Sequence, residues 1–302
     1  MRKSWTKNTV TTITTKIHYA SSAIEKEYKM EGKMHHSDRK GKKFKINFRL
    51  QDLDKICPWG SDENPNLHWF ALTDGLLWIN AGTQTIYEYN EAAKQYFADP
   101  QLQYNDYQIV RFLEDFSDTF RYIGESIPKS LYDEIDKFQA KTYAWKESHI
   151  EDDDDIFDLF YDNEYEPLTE WFWDRIFDSM HLTGGPLIGC FRCGDKIKLL
   201  WESSYQLENG ESIWTAPKGI VEMTYAEFIS SVMEFYESFF AAMDKQVENA
   251  VAKDWGNVSL DKERLVEENG ERRQEFLDNI KFLNHPQENT DWDRIIELYS
   301  RM

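Results

Sequence analysis

The folded part of the chain opens on alternation. Phe44, Ile46, Phe48 and Leu50 alternate with Lys45, Asn47, Arg49 and Gln51, which predicts a strand with one face in the core and one in water. After a Pro58-Trp59-Gly60 break, residues 67–72 predict a second strand. Thr73-Asp74-Gly75 predicts a tight hairpin, because Asp-Gly tolerates positive φ, with the return at 76–80 and a third strand at 85–89. Both faces of the middle pair are apolar, which predicts central strands. The period then lengthens. Ile109, Leu113, Phe116, Phe120 and Ile123 recur at spacings of three and four and predict a helix. A second helix is expected from Leu131 to about Trp145, and Trp171, Phe172 and Trp173 predict one that runs toward Phe177 and Met180.

A second β section begins near Leu187. Gly194-Asp195 predicts a hairpin between strands at 188–193 and 196–201, and Ala216-Pro217-Lys218-Gly219 predicts another between 212–215 and 220–223. Thr224 followed by Glu227 is a capping box. It opens a long helix whose buried face is Phe228, Val232, Phe235, Phe239, Met243 and Val247. Helices at roughly 260–283 and 291–301 finish the chain, with Thr290 and Asp291 as candidate caps. Strand groups joined by hairpins and alternating with amphipathic helices predict an α+β fold with an antiparallel sheet. A single domain is expected over 44–302, with a helical section from about 257.

Charge divides the chain. The total is −20 over 302 residues, yet residues 1–43 hold 11 Lys/Arg against 4 Asp/Glu, so residues 44–302 carry −27. The polar, basic stretch 1–43 reads as a disordered arm. It has no apolar segment of the kind that marks a secretory signal. The acidic body repels nucleic acid and anionic membrane and favours a basic protein partner. Three cysteines give no disulfide framework, and no run of about 18 apolar residues predicts a membrane span, so a reducing cytoplasmic setting is expected.

Candidate chemistry is sparse. Cys190 and Cys193 have half the spacing of a zinc site. On a strand, residues i and i+3 face opposite sides, so no metal is expected there, and no motif calls for a cofactor. His68, Trp69 and Asp74 mark a possible pocket, with His68 as base and Asp74 as orienter, although an extended strand would hold His68 and Asp74 about 20 Å apart. Between Glu151 and Asp178 stand 12 acids and one base, Arg175. Asp152, Asp153, Asp154 and Asp155, with Tyr161, Tyr165, Trp171 and Trp173, form a candidate dock for a basic partner, where carboxylates steer and aromatics anchor. The alternative puts those aromatics in the core and the acids in water.

Taken together, the motifs resemble an uncharacterised bacterial family, a domain of unknown function. They are Pro58-Trp59-Gly60, Leu67-His68-Trp69-Phe70-Ala71-Leu72-Thr73-Asp74-Gly75, Trp78-Ile79, Arg192-Cys193-Gly194-Asp195 with Trp201, Trp214-Thr215-Ala216-Pro217, Ala241-Ala242-Met243 and Asp291-Trp292-Asp293. The resemblance spans about 44–302, leaves the basic arm outside, and implies no catalytic residues. The expected function is therefore a non-enzymatic, acidic protein-binding module of the immunity or antitoxin kind, covering a basic partner such as a toxin. A hydrolase-type enzyme with a site near His68, and a structural or sensor module of a larger bacterial system, are the alternatives.

Overall fold

The computed structural model describes residues 43–150, 153–179, 184–287 and 289–302. The basic arm up to residue 42, on which disorder is expected, lies outside the described residues, as do Asp152 and Met180. In chain order the strands are β1 (Phe44–Leu50), β2 (Trp59–Ser61), β3 (Asn64–Leu67), β4 (Asp74–Ala81), β5 (Gln84–Ile86), β6 (Asn105–Gln108), β7 (Ile176–Asp178), β8 (Leu187–Cys193), β9 (Lys196–Glu202), β10 (Lys218–Thr224) and β11 (Ser259–Leu260). The helices are α1 (Glu91–Tyr96), α2 (Ile109–Asp118), α3 (Phe120–Ile123), α4 (Lys129–Asp133), α5 (Ile135–Glu147), α6 (Asp154–Phe160), α7 (Glu166–Trp173), α8 (Tyr225–Ala252), α9 (Lys262–Asn284) and α10 (Trp292–Tyr299). The fold is α+β.

The alternating segment forms β1 and runs antiparallel to β4, with Phe44, Ile46 and Phe48 opposite Ala81, Ile79 and Leu77. This apolar face lies on α8. Phe44 stacks on Phe228 at 5.5 Å between ring centroids, and Phe48 meets Phe235 and Phe239 edge-on. The stripe from Phe228 to Val247 is buried as its spacing requires, and Thr224 and Glu227 close the capping box. Both β5 and β6 pair with β4 on the side away from β1, one at each end. A second antiparallel sheet has the order β10-β9-β8-β7, and a small third sheet joins β11, β3 and β2. Gly194 supplies the positive φ for the β8–β9 turn.

Four expectations are corrected. Residues 69–73 form a 3-10 turn rather than a strand, with Trp69, Ala71, Leu72 and Thr73 all buried. Apolar character on both faces fits a short buried turn as well as a central strand. Asp74-Gly75 is consequently the start of β4 and not a hairpin. Gly75 has no positive φ; it is required because a Cβ there would run into the carbonyl oxygen of Arg49 and Leu50 Cα on β1. The helix that ends at Trp173 stops short of Phe177, which lies in β7. Finally, β10 pairs with β9 and not with 212–215. Trp214 bridges to Tyr89 instead, and its indole donates to the Gly184 carbonyl at 2.6 Å.

Candidate functional site

The acidic segment begins at Asp153, whose carboxylate accepts from the Asp155 N–H at 3.2 Å and caps α6. Asp154 and Asp155 follow in the first turn, where carboxylates complement the positive end of the helix dipole. Between α6 and α7 the backbone makes a π-helical turn, Tyr161–Tyr165. Such turns are rare and recur at functional positions.

The inward side of this segment is aromatic. Phe160 is buried; its ring stacks on His149 at 3.8 Å and meets Trp145 edge-on. Tyr161 and Tyr165 are half-buried, and the Lys146 ammonium sits 5.2 and 5.3 Å from their ring centroids. Burial, then the neighbouring Tyr161, pushes the Tyr165 hydroxyl pKa up. Trp171 is only 2% exposed, packed against Phe138, Phe172, Phe191 and Trp292. It is a core residue, which removes it from the candidate docking surface. The cause is the face that α7 presents: Leu168, Thr169, Trp171 and Phe172 turn inward together. Trp173, next in sequence, is 42% exposed.

The outward side is aliphatic and acidic. Ile156 and Leu159, three apart and therefore neighbours on α6, are 58% and 66% exposed. Asp153, Asp154, Asp155 and Asp158 precede or separate them in sequence, all exposed, and Ile150 and Tyr143 are exposed just upstream. Sequence reasoning named the aromatics as anchors and missed this pair. The signal was present, since Ile156 and Leu159 are offset from Phe157 and Phe160 by one position and so fall on a different helix face.

The residues of the possible pocket do not converge. His68 packs edge-on against Trp59 at 4.4 Å. Trp69 is fully buried, and its indole donates to Asn269 Oδ1 at 3.0 Å; Asn269 in turn donates to Asp244 at 2.8 Å, which also pairs with Arg273 at 2.7 Å. Asp74 accepts from Gln108 Nε2 at 2.8 Å across the β4–β6 pair. Each of the three thus has its own separate partners, and no proton relay links them. Partial burial raises the pKa of Asp74 despite the Gln108 bond. It also raises that of Asp106, on β6, with the charge of Asp74 adding to the effect. Behind β6, an internal space lined by Leu77, Asn105, Gln108, Phe112 and Phe177 has a volume of about 10 Å³, room for roughly one water.

A buried ionic cluster was not foreseen. Arg175 is 1% exposed and donates to Glu125 Oε2 at 2.7 Å and to the Trp171 carbonyl at 2.6 Å. The Glu125 carboxylate also accepts from the Thr290 N–H and hydroxyl and from the Trp292 indole, at 2.9, 2.7 and 3.2 Å. One carboxylate, in the loop after α3, thereby ties the start of α10 to the residue that precedes β7. The clue in the sequence was a lone arginine among twelve acids.

Cys190 is buried, and burial pushes its thiol pKa up; Cys57 is exposed and Cys193 half-buried, and all three are free. Among the described residues no three His, Cys, Asp or Glu side chains group as a metal site, and no helix is long and apolar enough to cross a membrane.

Fold and surface define an α+β protein whose most distinctive exposed feature is an acidic helix with bare aliphatic side chains. The chain belongs to DUF5984, a family of unknown function, whose model matches residues 45–298. Comparison with curated proteins and with solved structures found no match.

Proposed function

We propose that this protein is a non-enzymatic binding module that takes a basic protein partner on the outer ridge of α6. The observation that carries the reading is the exposure of Ile156 and Leu159 beside four exposed aspartates of the same segment. Two large aliphatic side chains this exposed leave apolar surface whose burial against a partner stabilises by about 1.5–3 kcal/mol per side chain. The aspartates and the net −27 of residues 44–302 select a partner of opposite sign and steer it in. The π-helical turn that follows α6 supports the same reading, since such turns recur at functional positions. An immunity or antitoxin role, in which the partner is a basic toxin met in the cytoplasm, is the specific form we favour. Three free cysteines fit a reducing compartment.

The test uses three baits in a lysate of the native host: wild type, Asp153→Asn/Asp154→Asn/Asp155→Asn, and Ile156→Ser/Leu159→Ser. All substituted positions are exposed, so the fold is retained. A basic protein held by wild type and lost from both variants supports the reading. Partners held equally by all three baits overturn it.

A further inference from the structure

The second face of the β1–β4–β6 sheet carries a different set of side chains. Alternation puts Asp74, Leu76, Trp78 and Asn80 of β4 on the side away from α8, with Lys45, Asn47 and Arg49 on β1 opposite Asn80, Trp78 and Leu76. Asp106 on β6 also lies opposite Leu76, and Gln108 opposite Asp74. Asp74, Leu76, Trp78, Asn80, Asn47 and Gln108 are half-exposed, and Lys45, Arg49 and Asp106 are exposed.

Two features of this face belong together. Trp78 stacks on Tyr104, centroids 4.2 Å apart and planes within 10°, and both rings remain half-open to solvent. One step along the strands, Asp74 and Asp106 are diagonal neighbours, close enough for their charges to interact. Asp74 holds one hydrogen bond, from Gln108, and neither carboxylate has an ion pair among the described residues. Arg49 stands on the far side of Leu76. The amides at the other end are already engaged: Asn47 donates to Asn80 at 2.7 Å, and Asn80 to Thr85 at 3.3 Å. The open chemistry is therefore the Asp106 carboxylate, two residues from Tyr104 in the stacked pair, with Asp74 the next carboxylate along the sheet.

We infer that this face is a docking site for an arginine side chain presented by a protein partner. A guanidinium matches both features at once. Its fork pairs with a carboxylate in two parallel hydrogen bonds, and its plane lies on an aromatic ring. An ammonium satisfies the charge but has no plane to stack. A bound metal would want a third ligand, and the described residues offer none. Burial raises the pKa values of Asp106 and Tyr89, and the neighbouring charges add to it, Asp74 on Asp106 and Asp106 on Tyr89, so these groups lie within reach of one another. The inference is independent of the α6 ridge.

The probe is the blocked peptide acetyl-Gly-Arg-Gly-amide, titrated into the ¹⁵N-labelled full chain and followed by amide and indole resonances, with Trp78 assigned from a Trp78→Phe variant. Acetyl-Gly-citrulline-Gly-amide, uncharged and of the same shape, is the control, and the lysine peptide is the third arm. The expected result is a saturable shift of the Trp78 indole and of amides in 74–80 and 104–108 with the arginine peptide. The lysine peptide should bind more weakly, and citrulline should give no shift. Asp106→Asn should weaken the arginine peptide at least tenfold, as loss of a charged hydrogen-bonded pair does. No shift at about 10 mM peptide, beyond the weakest useful affinity, overturns the inference. So do equal shifts with citrulline or unchanged affinity in the Asp106→Asn variant. Shifts confined to 153–159 also overturn it, while supporting the α6 ridge.

Discussion

Removing the Glu125 carboxylate should do more damage than any surface change in this protein. Glu125→Ala leaves the Arg175 guanidinium charged, 1% exposed, and without the Glu125 carboxylate that pairs with it at 2.7 Å. Breaking a buried pair from one side costs about 3–5 kcal/mol, because the remaining charge keeps its desolvation penalty. The same substitution strips the acceptor from the Thr290 N–H and hydroxyl and the Trp292 indole. For a folded body of this size each kcal/mol moves the thermal midpoint by roughly 2–4 °C, so the midpoint should fall by roughly 6–20 °C. Calorimetry measures this directly. Hydrogen exchange should show the segment 289–299 losing protection first, since Glu125 is its polar anchor while Ile295 and Leu298 supply its apolar one. Removing both charges, in Glu125→Leu/Arg175→Met, should recover most of the loss, because the guanidinium's desolvation penalty is then removed with the carboxylate. A single variant that loses less than about 1 kcal/mol, or a double variant no better than the single, would refute the reasoning.

Three further outcomes follow from the packing. Gly75→Ala should destabilise by about 1–3 kcal/mol or more, because its methyl meets backbone atoms of Arg49 and Leu50; a urea midpoint equal to wild type would contradict the close approach. Trp69→Phe should cost about 1–3 kcal/mol by leaving Asn269 Oδ1 without its donor in a buried site, and the loss should shrink when Asn269→Leu is added; two strictly additive losses would show that the bond does not matter. Asp106 has a folded pKa above its unfolded value, so the stability it contributes is present below about pH 4 and is lost as pH rises through the folded value. Asp106→Asn should therefore stabilise at pH 7, and the gain should vanish near pH 3; a gain independent of pH would reject the Asp106 charge, disfavoured by burial and then by Asp74, as its origin.

Local signals in the sequence were read correctly where one physical constraint acts alone. The alternation of 44–50, the Thr224–Glu227 capping box, the Gly194 turn and the α8 stripe each need only a single element to make sense. The readings went astray where two structures satisfy the same pattern. The run 69–73 is apolar on every side, which suits a buried strand and a buried 3-10 turn equally. Only the close packing of Gly75 on β1 decides that the chain turns before Asp74 and not at it. Trp171, Phe172 and Trp173 are adjacent, and adjacency does not say which of three neighbouring rings a helix will turn outward. Of the aromatic anchors expected on the acidic segment, Trp171 is packed in the core, Tyr161 and Tyr165 are half-buried and Trp173 is exposed, while Ile156 and Leu159 stand outward on α6. The Glu125–Arg175 pair joins residues 50 positions apart, and no periodicity can report a contact at that range.

The central claim is that a basic partner is steered by the α6 aspartates and held by the side chains between them. The most direct measurement is the association rate constant of the captured partner with wild type and with Asp152→Asn/Asp153→Asn/Asp154→Asn/Asp155→Asn across a range of ionic strength. Exposed charges act within a screening length of about 8 Å at physiological salt, so the account predicts a slower association for the variant at low salt and convergence of the two at high salt. Dissociation should be nearly unchanged in that variant and faster in Leu159→Ala, whose bare side chain is 66% exposed in the free protein. Identical association rates at low salt, together with an unchanged dissociation rate in Leu159→Ala, would contradict the account and reduce the acidic segment to a solvated helix.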